Sequence, residues 1–166
     1  MTGKRSRPAK QKSLPKTSSL FPSLHDQVSA LLQEYHLTYA FHPHDDATCL
    51  KERDTNIMGR FVCRNPSCSS NGWSSKMIPV TIRLYRDNKY NARVYHQRCR
   101  KCNHVSRPTL DHSYAERVAY WLETWAGADI PRQPYTGNND QPPHESHLCE
   151  GCRVGRCQRG RMQNVG

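Results

Sequence analysis

Seven of the eight cysteines fall in short-spaced sets, the arrangement in which thiolates bind soft or borderline cations. Cys63-x4-Cys68 and Cys99-x2-Cys102 form two pairs. Cys149-x2-Cys152-x4-Cys157 forms a third set, one ligand short of a closed tetrahedron. His144 and His147 stand just upstream of it, and either can supply an imidazole. Seven thiolates and one histidine make eight ligands, enough for two four-coordinate Zn²⁺ ions with no position left open for substrate. Such sites are structural. The spacing alone also allows Cys149 and Cys152 to complete a site with Cys63 and Cys68 instead. Cys49 has no short-spaced partner and reads as a partly buried free thiol.

Disulfides are the competing use of eight cysteines, and compartment decides between them. The chain begins MTGKRSRPAKQKSLPKTSS, which has no apolar leader region, and no stretch approaches 18 apolar residues. The expectation is a reducing, intracellular setting, cytoplasmic or nuclear, where clustered cysteines bind metal. Apolar residues make up only 35% of the 166, so the core is small and a metal staple suits it.

The elements that must position these ligands follow from periodicity. Residues 77–85 alternate, with Ile78, Val80, Ile82 and Leu84 on one side and Thr81, Arg83 and Tyr85 on the other. Residues 90–97 alternate again after the turn 86–89, with Ala92 and Val94 opposite Arg93, Tyr95 and Gln97. A hairpin brings its entry and exit ends together, so Cys63/Cys68 before it and Cys99/Cys102 after it should meet, as in a zinc ribbon. Pro79 lacks an amide donor and suits an edge position. A short strand is expected at 57–62, with another around Tyr39 and Phe41. Helices are expected over 23–36 and 111–126, with the stripes Leu24/Val28/Leu31/Leu32/Tyr35 and Ala115/Val118/Ala119/Leu122/Trp125 facing the core. Asp111 or Ser113 reads as the cap of the second helix, with Glu116 completing a capping box with Ser113. The segment His42-Pro43-His44-Asp45-Asp46 reads as a turn rather than a ligand cluster.

The expected fold class is therefore α+β, a small zinc-ribbon-like β-hairpin core with flanking helices and two structural zinc sites. Four parts are expected. Residues 1–20 form a disordered basic tail, and 21–56 a helix and short strand packed on the core. Residues 57–158 form the zinc-binding domain, and 159–166 a basic C-terminal tail.

The net charge of +11 is unevenly distributed: +6 over residues 1–20, −3 over 21–60, +9 over 61–110 and −1 over 111–166. The folded part thus has a basic segment of its own. Arg83, Tyr85, Arg93 and Tyr95 share one hairpin face by alternation, and cations with aromatic rings on one face suit phosphates and unpaired bases. The plainer reading is a polar sheet face with ordinary cross-strand pairs.

Together IMGRFVCRNPSC, WSS at 73–75, YNARVYHQRCRKC, PTLDHSYAERVAYWLETWAG and PPHESHLCEGCRVGRC resemble the 3CxxC-type zinc-binding domain over residues 57–157. That domain is shared by receptor-transporting proteins, zygote arrest proteins and many fungal proteins. The leading segment FPSLHDQVSALLQEYHLTYAFHP resembles the fungal branch. The first pair departs from the pattern, with four intervening residues rather than two. The resemblance implies a histidine ligand about where His144 stands. Receptor-transporting proteins carry a membrane segment that this sequence does not show, so their membrane role does not carry over, but the resemblance still implies a protein-interaction or receptor-trafficking adaptor as the alternative function. The RNA-binding role of zygote arrest proteins needs only the zinc region.

Two functions are thus expected to compete: a zinc-stabilised module binding nucleic acid, RNA favoured, and an adaptor presenting a surface to a protein client. An enzyme is not expected. A zinc deaminase needs H-x-E before P-C-x-x-C and an open metal position, whereas here His144 and Glu145 are adjacent and Leu148 precedes Cys149.

Overall fold

A computed structural model of the chain describes residues 13–131 and 144–158. The backbone is organised by three long strands, β3 (Lys51–Phe61), β4 (Trp73–Tyr85) and β5 (Lys89–Tyr95). They pair antiparallel, β4 in the middle, through Ile57↔Ile78, Val80↔Val94 and Ile82↔Ala92. The β4–β5 hairpin has the alternation read from the sequence, and its turn takes positive φ at Asp87 and Asn88. Short strands extend both sides of the sheet. β1 (Ser18–Ser19) pairs antiparallel with β5, β2 (Ala40–Phe41) pairs parallel with it, and β8 (Thr109–Leu110) pairs with β3. A separate two-stranded ribbon joins β6 (Gln97–Arg98) to β7 (Val105–Ser106).

The apolar side of the sheet carries Ile57, Phe61, Ile78, Val80, Ile82, Tyr90, Ala92 and Val94, all buried. Two helices cover it, α1 (His25–Gln33) and α2 (Ser113–Trp125). Val28 and Leu32 of α1, and Tyr114, Ala115, Val118, Ala119 and Leu122 of α2, complete one core. Fully burying such side chains stabilises by roughly 1.5–3 kcal/mol each, so this layer is the main source of tertiary stability besides metal. A bulge between Ile57 and Gly59 bends β3 where β8 joins it. Gly59 is required there, because a Cβ would lie 2.5 Å from the Thr109 carbonyl oxygen.

Several expectations are corrected. The expected boundary between residues 56 and 57 falls inside the 11-residue strand β3, so 21–56 is no separate part. The expected short strand at 57–62 is the end of that strand. Ser18 and Ser19 pair with Tyr95 and Val94, so the end of the expected disordered tail belongs to the sheet. The rest of that tail up to residue 12, and residues 159–166, lie outside the described residues. Ser113 does not cap α2. Its hydroxyl accepts the Met58 amide at 2.8 Å, while Asp111 accepts the Ser113 amide. The cap was outcompeted by a tertiary bond to a strand 55 residues away. Pro79 is in the central strand, not at an edge. Its missing donor is tolerated opposite Asn56, next to the bulge in β3.

Candidate metal centres

The first centre forms where two turns meet. Residues 63–68 wind so that Asn65 accepts the Ser67 amide on its side chain and the Cys68 amide on its carbonyl. Cys99 and Cys102 lie at the end of the β6–β7 ribbon, where the Cys99 amide bonds the His104 carbonyl and Asn103 takes positive φ. The four sulfurs converge, with Cys63 to Cys102 at 3.4 Å and Cys68 to Cys99 at 3.9 Å, all within 4.8 Å. A tetrahedral tetrathiolate zinc with bonds of about 2.3 Å has sulfur–sulfur edges of about 3.8 Å. The cage therefore has the right size.

The second centre is built on one stretch. A turn at 146–148 leads into Cys149, a single helical turn α3 (Glu150–Arg153) carries Cys152, and Gly155 at positive φ turns the chain toward Cys157. His144 Nε2 lies 3.3 Å from Cys152 Sγ and 3.5 Å from Cys157 Sγ. With a zinc–nitrogen bond of about 2.0–2.1 Å, the corresponding edge is about 3.6 Å. The structure thus joins His144 with Cys149, Cys152 and Cys157 and leaves His147 exposed outside the group. The alternative sharing of Cys149 and Cys152 with the first pair does not occur. Cys49 stays apart, half-buried, its sulfur 4.0 Å from a Glu52 oxygen.

The thiols cannot all ionise without a cation. Around Cys63 the Asn65 amide lowers the pKa, but desolvation and the three neighbouring sulfurs outweigh it and push it up to about 12. Burial raises Cys99, yet the amides of Cys102 and Lys101 more than offset this and bring it down to about 6. Cys149 is pushed up, first by the Cys157 thiol and then by burial. Sulfurs this close share protons until a divalent ion supplies the compensating charge, and zinc binding then releases those protons.

Arg83, Tyr85, Arg93 and Tyr95 do lie on one face of the hairpin, but that face is not free. Arg83 is 3% exposed, Tyr85 5% and Tyr95 3%. Arg83 pairs with Asp45 and Glu52 at 3.2 and 3.4 Å. Arg93 is half-buried and holds Asp45 through both Nε and Nη2. The Tyr85 hydroxyl donates to the Asp46 carbonyl, and Tyr95 meets Thr81, which donates to Asp54. Two segments cover the face. The 42–48 turn lies over Arg83, Tyr85 and Asn91, and His42 stacks on Tyr85 at 4.0 Å. The second centre lies over the other end. Gly151 sits against Pro79 and Tyr95, Arg156 bonds Glu52, and Gln158 bonds Asn56 and the Asp54 carbonyl. The expected platform of exposed rings and cations is instead an internal polar layer. Alternation reports which side chains share a face, not what packs on it, and the covering carboxylates come from turns remote in sequence.

Sequence reasoning also missed Trp73, Gln97 and Lys76. Trp73 stacks on Phe61 with ring centroids 5.0 Å apart and planes 8° from parallel. Its indole NH donates to Gln97, whose amide donates to Ser75 and the Met77 carbonyl. These residues floor a groove of about 530 Å³ between the two centres, with Lys76, Arg100 and Lys101 along it. The excess charge of residues 61–110 was the signal present in the sequence, but it does not say which of those cations stay exposed.

The fold and the two tetrahedral cages define a zinc-ribbon domain. The family model of the 3CxxC zinc ribbon, described as a zinc-binding domain, matches residues 56–155. More than half of the chain is covered, and the protein belongs to this family. No curated protein and no solved structure matches it. Among the described residues no helix is long and apolar enough to cross a membrane.

Proposed function

We propose that this zinc-binding protein is a nucleic-acid-binding module, RNA favoured, whose contact surface is the rim around the first zinc centre. The observation that carries the reading is the set of exposed cations gathered there: Arg60, Arg64, Lys76, Arg100 and Lys101. A zinc ion with four thiolates has a net charge of about −2, and among the described residues Glu145 is the one carboxylate lining the groove. The groove lining itself holds four cations, Lys76, Arg98, Arg100 and Lys101, against these charges, and exposed Arg60 and Arg64 add to them, so the surface is positive, as a phosphate backbone requires. The likeness to zygote arrest proteins in the zinc region supports RNA over DNA. Arg83 and Arg93, being paired internally with Asp45, are assigned to the fold.

The zincs hold the surface in shape and do no chemistry on the ligand, since each cage is closed by four protein ligands. The test is RNA affinity of the zinc-loaded protein trimmed of residues 1–20, measured across salt. The expected result is an affinity that falls steeply as salt rises, with a slope shallower by about 0.7 for each phosphate contact removed at Arg64, Lys76 or Lys101. Trimmed protein that holds two zincs but has no salt-dependent affinity for RNA or DNA rejects the proposal. The adaptor reading, in which the same rim meets a protein client with little salt dependence, then replaces it.

A further inference from the structure

The groove between the two centres combines features that the general basic rim does not. Its floor is Trp73, one face of which is covered by the buried ring of Phe61. Trp73 is half-buried and itself lines the groove. The ring is also fixed in its plane, because its NH is held by Gln97 at 3.2 Å and Gln97 is itself buried and fully engaged. A fixed ring loses little entropy when a flat partner stacks on it. Lys76 and Lys101 are exposed along the same groove. Arg100 reaches across from the first centre to Glu145 on the second. Its two nitrogens meet the two carboxylate oxygens at 2.5 and 3.2 Å. Arg100 is 76% exposed, so this fork is set at the mouth of the groove, within reach of solvent.

From this arrangement we infer that the groove is a subsite for an unpaired nucleotide, with the base stacked on Trp73 and flanking phosphates held by Lys76 and Lys101. Arg100 gives up Glu145 for a phosphate when RNA enters. A phosphate accepts the same two parallel N–H bonds as a carboxylate, so the exchange conserves hydrogen bonds, and Glu145 acts as an internal competitor. The inference rests on the reading that the rim binds RNA. It adds that the site requires an unpaired base, because a stacked and paired base cannot offer its face to a side chain.

The test uses the zinc-loaded protein without residues 1–20 and a labelled heteropolymeric RNA of about 12 nucleotides, longer than the smallest single-strand sites, either single-stranded or annealed to its complement. Binding is read by fluorescence anisotropy. The single strand is expected to bind at least roughly tenfold more tightly than the duplex. Trp73→Leu is expected to weaken single-strand binding roughly tenfold, the order of one lost base stack, and to leave the salt slope unchanged. Lys76→Ala with Lys101→Ala should weaken it and make the slope shallower. These two side chains are exposed, so the pair keeps the test valid if Trp73→Leu disturbs the Phe61 contact. Arg86→Ala with Lys89→Ala removes equal charge at the far hairpin turn and should have a smaller effect. Glu145→Gln, with zinc content verified, is expected to tighten binding by roughly two- to fivefold, the scale of an exposed ion pair. If the wild type binds neither RNA, both the functional reading and the subsite fail. If it binds with a normal salt slope but takes duplex equally well, the subsite alone is rejected. The subsite is likewise rejected if the groove and hairpin-turn pairs weaken binding equally, or if Glu145→Gln weakens it.

Discussion

The two zinc centres differ in what they hold together. The first is a rim structure. Cys63, Cys68 and Cys102 are half-exposed and only Cys99 is buried, and the centre joins two turns that project beyond the sheet. The second is a clasp. Cys149 and Cys157 are buried, the backbone at Cys149 bridges Gln97, and the Glu150 amide bonds the His96 carbonyl. Glu150, 4% exposed, pairs with Arg98 at 2.5 Å, and Arg156 reaches Glu52 on β3. Helices α1 and α2, with Phe21 and the apolar side chains Leu37, Tyr39 and Phe41, cover one side of the sheet. The other side is polar, and a sheet cannot leave Arg83, Tyr95 and Asn91 buried unless something satisfies them. The second zinc folds the segment that helps to do so. Metals of the same kind thus join two turns at the rim in one place and close a core in the other.

The sharpest way to break this comparison is to remove one ligand from each centre. Structural zinc binding supplies about 10–16 kcal/mol in small metal-folded modules, comparable to or above the total stability of a domain. Cys157→Ser is therefore expected to release one zinc and to abolish cooperative unfolding, with loss of the near-UV circular dichroism of Trp121 and Trp125. Cys68→Ser should also release one zinc, yet leave a cooperative transition, because the sheet and helices remain covered. Elemental analysis with near-UV thermal scans measures both. Equal losses of stability would mean that the second centre is no clasp.

The next effect concerns the polar layer itself. Arg83→Met removes one of two cations from Asp45, which keeps Arg93, and one of two from Glu52, which keeps Arg156. Breaking a buried ion pair costs about 3–5 kcal/mol when the remaining charge is left alone. Both acids are more than a third exposed or nearly so, at 35% and 38%, so at most the lower end of that range is expected. Urea unfolding reads it. The exposed Arg100→Ala should change stability by less than about 1 kcal/mol.

A subtler probe lies in the clasp. A Cβ at Gly151 would stand 2.6 Å from Pro79 Cγ and 2.7 Å from its Cβ, both atoms of a rigid ring. Gly151→Ala should therefore destabilise by about 1–3 kcal/mol through overpacking. A Cβ added at Gly155 would meet nothing within 4 Å, but φ is +71°. Gly155→Ala should cost only the backbone strain, about 1–2 kcal/mol. Chemical denaturation ranks the two.

The smallest effect is on pH. His96 is buried; its Nδ1–H donates to the Lys16 carbonyl at 2.9 Å, so Nε2 of the neutral ring accepts from the Ser19 hydroxyl at 2.8 Å. Burial is the main cause holding its pKa below the ordinary histidine value, and Arg107 acts in the same direction. The unfolded state therefore takes up the proton first. The His96 contribution is fully present above the unfolded pKa of about 6.5 and declines as pH falls below it. Thermal midpoints from about pH 8 to about 5.5, a window that brackets this titration, should fall less steeply in His96→Gln than in wild type. An unchanged slope would remove His96 from the account.

Much of the metal chemistry was legible in the primary structure, and for a local reason. The ligands of each knuckle lie within a few residues of one another, so spacing alone nearly determines which sulfurs can meet. The hairpin between Cys68 and Cys99 was legible too, since strict alternation from Ile78 to Leu84 leaves little else for the segment to do. The stripes of α1 and α2 indicated the core by the same logic, with Val28, Leu32, Val118 and Leu122 all fully buried.

Tertiary structure alone decided what the other face of the hairpin meets. Arg83 and Tyr95 have the same alternation whether water, RNA or protein lies beyond them. Their partners Asp45, Glu52 and Asp54 sit in a turn and a strand remote in sequence, and Gly151 and Arg156 arrive from the far end of the chain. It also decided between His144 and His147, because they are close neighbours in sequence while only one is carried by its turn to Cys152 and Cys157. The groove floored by Trp73 arises in the same way, from two knuckles set side by side on the sheet. Local pattern encodes periodicity and spacing. Coverage of a surface depends on contacts between segments distant in the chain, and no short window of sequence contains both sides of such a contact.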